Sequence, residues 1–257
     1  MSADRMRQML GAGVPSFVAW VSIADSFSAE VMGAAGYDGL ILDAQHGGIT
    51  WDNMGRAIQA LDLNRTPALV RVPATDQAQI MRALDLGAAG VIVPMVSNEA
   101  QARVAAQAMR YPPHGLRSFG MVRNYYGVQA LSSQPLCMVM IETAEAMKNL
   151  EAIAAVPGVD GLFVGPVDLA LSLGLGPALE MRDEVLASIE QVVAACARHG
   201  KFSGSASMGL PYARALLDRG VRFIAQGSDL GFLRRGAANE LEKLKAWRDE
   251  QQTRQST

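Results

Sequence analysis

GLFVGPVDLALSLG, residues 161–174, carries an apolar run, Gly161 to Gly165, that reads as a buried strand, with Asp168 at its exit. CMVMIETAEA, residues 137–146, repeats the arrangement with Glu142 as the acidic residue. A strand apolar on both faces and followed by a helix is the unit of a parallel sheet covered by helices. Working outward from these two stretches, such units recur eight times. The remaining predicted strands are SFVAWVSI from Ser16, GLILDA from Gly39, TPALVRV from Thr66, GVIVPMV from Gly90, KFSGSA from Lys201 and RFIAQG from Arg222. Helical patterns are expected over 51–61, 76–86, 98–109, 181–199 and 209–218, several stopped by glycine, as at Gly87, Gly200 and Gly220. Eight βα units predict an α/β fold of the (β/α)8 TIM-barrel type, with residues 1–257 as one domain.

Composition fits this frame. Of the 257 residues, 50% are hydrophobic and 19% charged, enough to build a sizeable core. A formal net charge of −2 provides no basic field for nucleic acid, and no apolar stretch approaches the roughly 18 residues of a membrane helix. The opening MSADRMRQML lacks the pattern of a signal peptide, and the two cysteines, Cys137 and Cys196, fall inside a strand and a helix. A cytoplasmic, thiol-reduced protein is the expectation. Between the fourth and fifth strands the segment from Tyr111 to Pro135 is long, turn-rich and aromatic, which predicts use at the active site or in a subunit contact. The last segment, from Asp229 to about Lys245, predicts an amphipathic helix followed by a frayed tail.

In a βα barrel, chemistry collects at the strand exits. Those exits carry Trp20 and Ser22, then Asp43, Gln45 and His46, then Arg71, Glu142, Asp168, and finally Ser228 and Asp229. The set supplies one base, one permanent cation, an aromatic wall and two candidate metal ligands, Glu142 and Asp168. Carboxylate oxygens favour a hard divalent ion with open water positions over a closed zinc cage. Each residue also has a plain structural reading: a hydrogen-bonded histidine, a salt-bridged arginine, a glutamate decorating a helix start, an aspartate N-cap. Four such residues at four of eight exits make coincidence a poor account of the whole. None of the four lysines, Lys148, Lys201, Lys243 and Lys245, stands at a predicted strand exit, so a Schiff-base mechanism lacks its nucleophile. No Walker loop or GxGxxG follows the first strand, which removes support for nucleotide hydrolysis and hydride transfer.

The segments YDGLILDAQHGG, RVPATDQAQIMRALDLGAAGVIVPMV, YPPHGLRSFG, MIETAEAMKNLEAIAAVPGVDGLFVGPVDLALSLG and GSDLGFL together resemble the HpcH/HpaI aldolase/citrate lyase family, on its metal-dependent pyruvate aldolase branch. The likeness spans nearly the whole chain in order. It implies a class II aldolase that cleaves and forms 4-hydroxy-2-oxo acids, releasing pyruvate or a close analogue such as hydroxypyruvate through a metal-stabilised enolate. Glu142 and Asp168 would bind Mg²⁺, Mn²⁺ or Co²⁺, His46 would be the general base, and Arg71 would hold the pyruvyl oxygen. The substrate carboxylate would be received along Gly165, Pro166, Val167 and Asp168, with Trp20 as a wall; Asp43 and Asp85 join the catalytic set, Asp85 acting on a histidine across a subunit interface. The resemblance also implies a homohexamer, a trimer of dimers that exchange the last helix. Three departures touch substrate contacts: Gln45 stands where a glutamate is usual, Met140 where a glutamine is usual, and RSFG where RGxG is usual. Oxaloacetate decarboxylation or acyl-CoA lyase chemistry would share the enolate, although no basic cluster awaits a CoA phosphate chain. A non-catalytic 2-oxo-acid-binding barrel would predict loss of the base or the arginine, and both are present.

Overall fold

In the computed structural model, which describes residues 3–123, 134–177 and 180–255, eight parallel strands close into a barrel in sequence order. The strands are β1 Ser16–Val21, β2 Gly39–Asp43, β3 Ala68–Arg71, β4 Gly90–Val93, β5 Leu136–Ile141, β6 Gly161–Val164, β7 Phe202–Ser207 and β8 Phe223–Ser228. The helices are α1 Ala3–Gly11, α2 Ser26–Ala34, α3 Trp51–Leu63, α4 Gln77–Asp85, α5 Glu99–Ala108, α6 Ala144–Lys148, α7 Leu150–Ala154, α8 Pro166–Ser172, α9 Asp183–His199, α10 Leu210–Asp218 and α11 Asp229–Gln255. All eight predicted strands form, seven of them within a residue or two of their expected bounds and β4 stopping three residues short of the expected Val96, and the ring is sealed by β1 pairing with β8. Among the described residues, no helix is long and apolar enough to cross a membrane.

The strand period of two sorts the side chains. Leu136, Met138 and Met140 of β5 point into the barrel with Val18, Ile41, Leu69, Ile92, Phe163 and Phe223. The intervening Cys137, Val139 and Ile141 point outward into the layer shared with the helices. Extending the same parity one step past each strand's interior residues places Asp43, Arg71 and Glu142 at the barrel mouth. The near-continuous apolar strands thus feed two cores, one inside the barrel and one outside it.

Helix α1, which the sequence pattern did not single out, stoppers the other end. Met6 is fully buried and Leu10 nearly so, both packed into the interior cluster. Arg7 fixes the plug through two hydrogen bonds to Asp160, at 3.2 and 3.1 Å. The long connection after α5 also belongs to this end. The Leu116 amide donates to the carbonyl of Gln107 at the end of α5 and the Arg117 amide to that of Arg110 just beyond it, the Arg117 side chain donates to Asp85 at 2.9 Å, and Arg123 donates to Asp62 at 2.6 Å. Asp62 and Asp85 close α3 and α4, so residues 111–123 lie opposite the strand exits; the expected active-site use is not met within the chain by this half. Its Leu116, Phe119, Met121 and Val122 are exposed, and residues 124–133 of the same expectation lie outside the described ones.

Helix α11 corrects the expected frayed tail: the helix runs 27 residues, to Gln255. It touches the barrel chiefly at β1 and β8, and Leu241, Leu244 and Trp247 are exposed. Its root is firmly tied. Asp229, 5% exposed, accepts from the Ser22 and Ile23 amides at 2.8 and 3.0 Å, from Ser28 Oγ at 2.8 Å and from the Leu230 amide at 2.7 Å. Charge-assisted bonds of this kind leave buried donors orphaned when the acceptor goes. Asp229→Ala is therefore expected to cost about 3 kcal/mol, measured as a lowered urea midpoint, with an unchanged m-value.

Candidate active site

A cavity of about 310 Å³ opens at the strand exits, walled by Trp20, Arg71, Met140, Phe163, Asp168 and Met208 among others. Gly165, Pro166 and Val167 complete the side next to Asp168. Trp20, Arg71, Gly165, Pro166, Val167, Asp168 and Ser228, all singled out from the sequence, thus line one cavity. Glu142 stands beside them, 2% exposed.

Arg71 is held in a fork. Its Nε donates to Asp43 Oδ1 at 2.9 Å and an Nη to Asp43 Oδ2 at 2.7 Å, with both residues nearly buried. Asp43 Oδ1 also accepts from the amides of Gln45 and His46, at 3.1 and 3.2 Å. Asp43 is therefore occupied with orientation: one carboxylate sets both the guanidinium and the turn that carries His46. The Arg71 head lies over the Trp20 ring, 4.4 Å from its centroid. Trp20 meets Phe163 edge-on at 6.1 Å, and Phe163 meets Phe223 at 6.0 Å. A column of rings standing inside the barrel thus supports the cation from below.

Glu142 follows β5 directly, and Thr143, whose hydroxyl accepts from the Ala146 amide, takes the N-cap of α6. The glutamate is therefore free of helix duty. Its Oε1 accepts from the Met95 amide at 2.6 Å. Its Oε2 faces Gly165 so closely that a Cβ there would lie 2.5 Å away, which is why a glycine stands at that point. Asp168 is not an N-cap; Gly165 holds that position, Pro166 starts α8 and Asp168 sits in its first turn. Burial pushes the Glu142 carboxyl up, with the Asp168 charge adding to it, while the Met95 amide and the Arg71 charge act in the opposite direction. A buried carboxylate, Glu142, set against an exposed one, Asp168, is an arrangement that a divalent cation relieves. Among the described residues no group of three or more His, Cys, Asp or Glu gathers. A pair fits an ion of the magnesium kind, which is bound through one or two carboxylates while substrate and water fill the other positions.

His46 and Asp85 stand apart from this wall. His46 lies in the turn after β2, exposed, with its amide on Asp43. Asp85 is at the far end of the barrel on Arg117. Sequence reasoning overlooked several lining residues: Ser207 and Met208 at the exit of β7, Gly227 in β8 and Arg235 on α11. The first two follow the strand-exit rule once β7 is carried to Ser207 rather than stopped at Ala206. Arg235 has no such signal, because it sits seven residues beyond the end of β8 on a helix.

Comparison with known proteins follows the same lines. The family model described as HpcH/HpaI aldolase/citrate lyase matches residues 16–236. The hydroxypyruvate/pyruvate aldolase of Rhizorhabdus wittichii is 34% identical over 95% of this chain and 99% of its own. The 5-keto-4-deoxy-D-glucarate aldolase of Klebsiella pneumoniae is 38% identical over 90% and 93%. A crystal structure of an HpcH/HpaI aldolase/citrate lyase family protein from Burkholderia cenocepacia superposes with a TM-score of 0.86 at 31% identity, covering 94% of this chain and 99% of that one. With barrel, strand-exit carboxylates and braced arginine all in the matched range, the chain belongs to the HpcH/HpaI aldolase/citrate lyase family.

Proposed function

We propose that this protein is a class II aldolase that reversibly cleaves 4-hydroxy-2-oxo acids to pyruvate, or hydroxypyruvate, and an aldehyde. The observation that carries the reading is the facing pair Glu142 and Asp168 beside a braced Arg71 in one small cavity. Glu142 and Asp168 would hold the divalent ion, Mg²⁺, Mn²⁺ or Co²⁺, which when bound polarises the two oxygens of a 2-oxo acid and so acidifies the adjacent carbon. The chain's own groups do the rest. The amides at Val167 and Asp168 receive the substrate carboxylate at the start of α8. Arg71 stabilises the oxygen on which enolate charge builds. Its fork on Asp43 and its seat on Trp20 hold the guanidinium in place before the reaction, so little reorganisation is needed as it proceeds. His46 takes the proton of the 4-hydroxyl as the carbon–carbon bond breaks and returns it in the aldol direction.

Assembly into a homohexamer, a trimer of dimers with α11 exchanged, is part of the same proposal. Its support is the length of α11 that leaves the barrel and the exposed Phe17, Phe27 and Val31, apolar residues left bare on β1 and α2. Asp85 would then reach a histidine only in a neighbouring subunit.

The metal mechanism is tested by pyruvate release from a panel of 4-hydroxy-2-oxo acids with and without chelator; activity that persists after complete metal removal would sink it. The contrasting covalent mechanism is tested with borohydride. Lys201 donates to the carbonyls of Val156 and Val159, far from the strand exits, and Lys148 closes α6. Treatment with pyruvate and borohydride is expected neither to inactivate the enzyme nor to add a pyruvyl mass to any lysine.

A further inference from the structure

Of the two oxygens of Glu142, one is already taken. Oε1 accepts from the Met95 amide at 2.6 Å, while Oε2 lies against Gly165, a residue of the cavity wall. The donor comes from an uncommon piece of backbone. Met95 has a φ of +56°, in the left-handed region that a residue with a Cβ adopts only at a cost. Its side chain is exposed, so burial of that side chain does not offset the cost.

The conformation goes with the way β4 ends. The strand pairs with β5 as far as Val93, opposite Val139. Pro94 has no amide with which to continue the ladder, and the chain turns at Met95. The side chains record the turn. Ile92 faces the barrel interior and Val93 the outer layer, so alternation would send Val96 inward, yet Val96 is fully buried in the outer layer. Both flanks of the turn are tied down. The Pro94 carbonyl, which belongs to the same peptide unit as the Met95 amide, accepts from the Thr75 hydroxyl at 3.2 Å. Beyond Met95, the Ser97 hydroxyl bonds to that of Thr143, the residue after Glu142, at 2.9 Å, and the Ser97 carbonyl accepts from Asn149 Nδ2 at 2.8 Å. Thr75, the Pro94–Met95 peptide and Glu142 therefore form one file of hydrogen bonds from the loop after β3 to the end of β5, in which each bond polarises the next.

Resting on the reading of Glu142 and Asp168 as the ion site, we propose that Met95 and Thr75 are positioning residues for the divalent ion. The left-handed turn at Met95 aims the Pro94–Met95 peptide at Oε1, Thr75 holds that peptide from behind, and Oε2 is left to the ion. Neither residue is part of the cavity wall, so both act through Glu142. A ligand fixed in this way is set before the ion arrives, and partners of this outer kind are worth roughly ten- to a hundredfold in metal affinity.

The test needs no turnover: Mn²⁺ is titrated into the metal-free protein and the free ion is followed by electron paramagnetic resonance. Met95→Val puts a β-branched residue at a left-handed position that it resists, and should weaken Mn²⁺ binding by about tenfold. Met95→Gly takes the same φ without cost and keeps the amide, so it should bind within about twofold of the wild type. Thr75→Val, the same shape without the hydroxyl, should weaken binding by about fivefold, and Thr75→Ser should recover most of that loss. Wild-type affinity in Met95→Val or in Thr75→Val would overturn the proposal, and a lowered melting temperature alone would mark a merely structural role. Met95→Gly as weak as Met95→Val would put the effect in the side chain and overturn it too, as would Thr75→Ser as weak as Thr75→Val. Asp168→Asn separates this proposal from the ion site on which it rests. If that variant loses Mn²⁺ while the variants of Met95 and Thr75 keep it, the site stands and the positioning proposal fails. If Asp168→Asn binds as the wild type does, or the wild type binds no Mn²⁺, both fail together.

Discussion

Glu142→Gln and Asp168→Asn are each expected to reduce methyl-proton exchange of pyruvate to the uncatalysed level while the barrel stays folded. Both substitutions keep the shape of the side chain and remove a charge from the proposed ion site, so the loss should show in enolisation itself and not only in the binding of an aldehyde. Stability should move the other way for Glu142. Burial raises its carboxyl pKa in the folded chain. The folded state therefore binds a proton more readily than the unfolded one, and metal-free stability falls as pH rises through the raised pKa. A neutral glutamine escapes that penalty. At neutral pH the metal-free Glu142→Gln protein should melt no lower than the metal-free wild type, and added Mg²⁺ should raise the melting temperature of the wild type alone. A Glu142→Gln protein that still exchanges pyruvate protons, or that still gains stability from Mg²⁺, would place the ion elsewhere.

Arg71→Ala and His46→Ala are expected to part company when two reactions are compared. Decarboxylation of oxaloacetate forms the same enolate as aldol cleavage but takes no proton from a hydroxyl. Arg71 serves the enolate in both, so its loss should depress both alike. His46 serves only the hydroxyl, so its loss should impair cleavage beyond decarboxylation by roughly 10²- to 10⁴-fold, the usual contribution of general-base catalysis. Removing Arg71 also strands Asp43 in a nearly dry site, at an expected cost of about 3–5 kcal/mol. Arg71→Lys is the milder companion: it keeps the charge and loses the fork that Asp43 now fills with two bonds. Equal factors for the two reactions in His46→Ala would reduce the histidine to a positioning role.

The barrel was legible because its strands are apolar on both faces and short, which leaves the chain few other ways to bury them. The strand-exit rule then delivered Arg71 and Glu142, since the period of two carries a residue's parity from the interior to the mouth, and Asp168, which the first turn of α8 carries just past β6. Where the rule failed, a helix was the reason. Arg235 reaches the cavity by curling back from the second turn of α11, a side-chain direction that no strand period encodes. Helix α1 was missed because only two of its nine residues, Met6 and Leu10, are buried. The outer end of α11 was read as a tail because its polar sequence offers no core-facing stripe, and the structure gives it no core of its own chain to face.

The bonds of Asp229 join the root of α11 to the loop that follows Trp20. Mechanically, this makes the helix a long arm bolted to the rim of the reaction chamber. At about 1.5 Å per residue its 27 residues span roughly 40 Å, so a small tilt at the root becomes a large excursion at the tip, and a load at the tip is delivered to the rim. Whatever grips the far end of that arm is in a position to tighten or slacken the wall behind Trp20, and a label, fusion or surface tether attached there would be felt by the substrate.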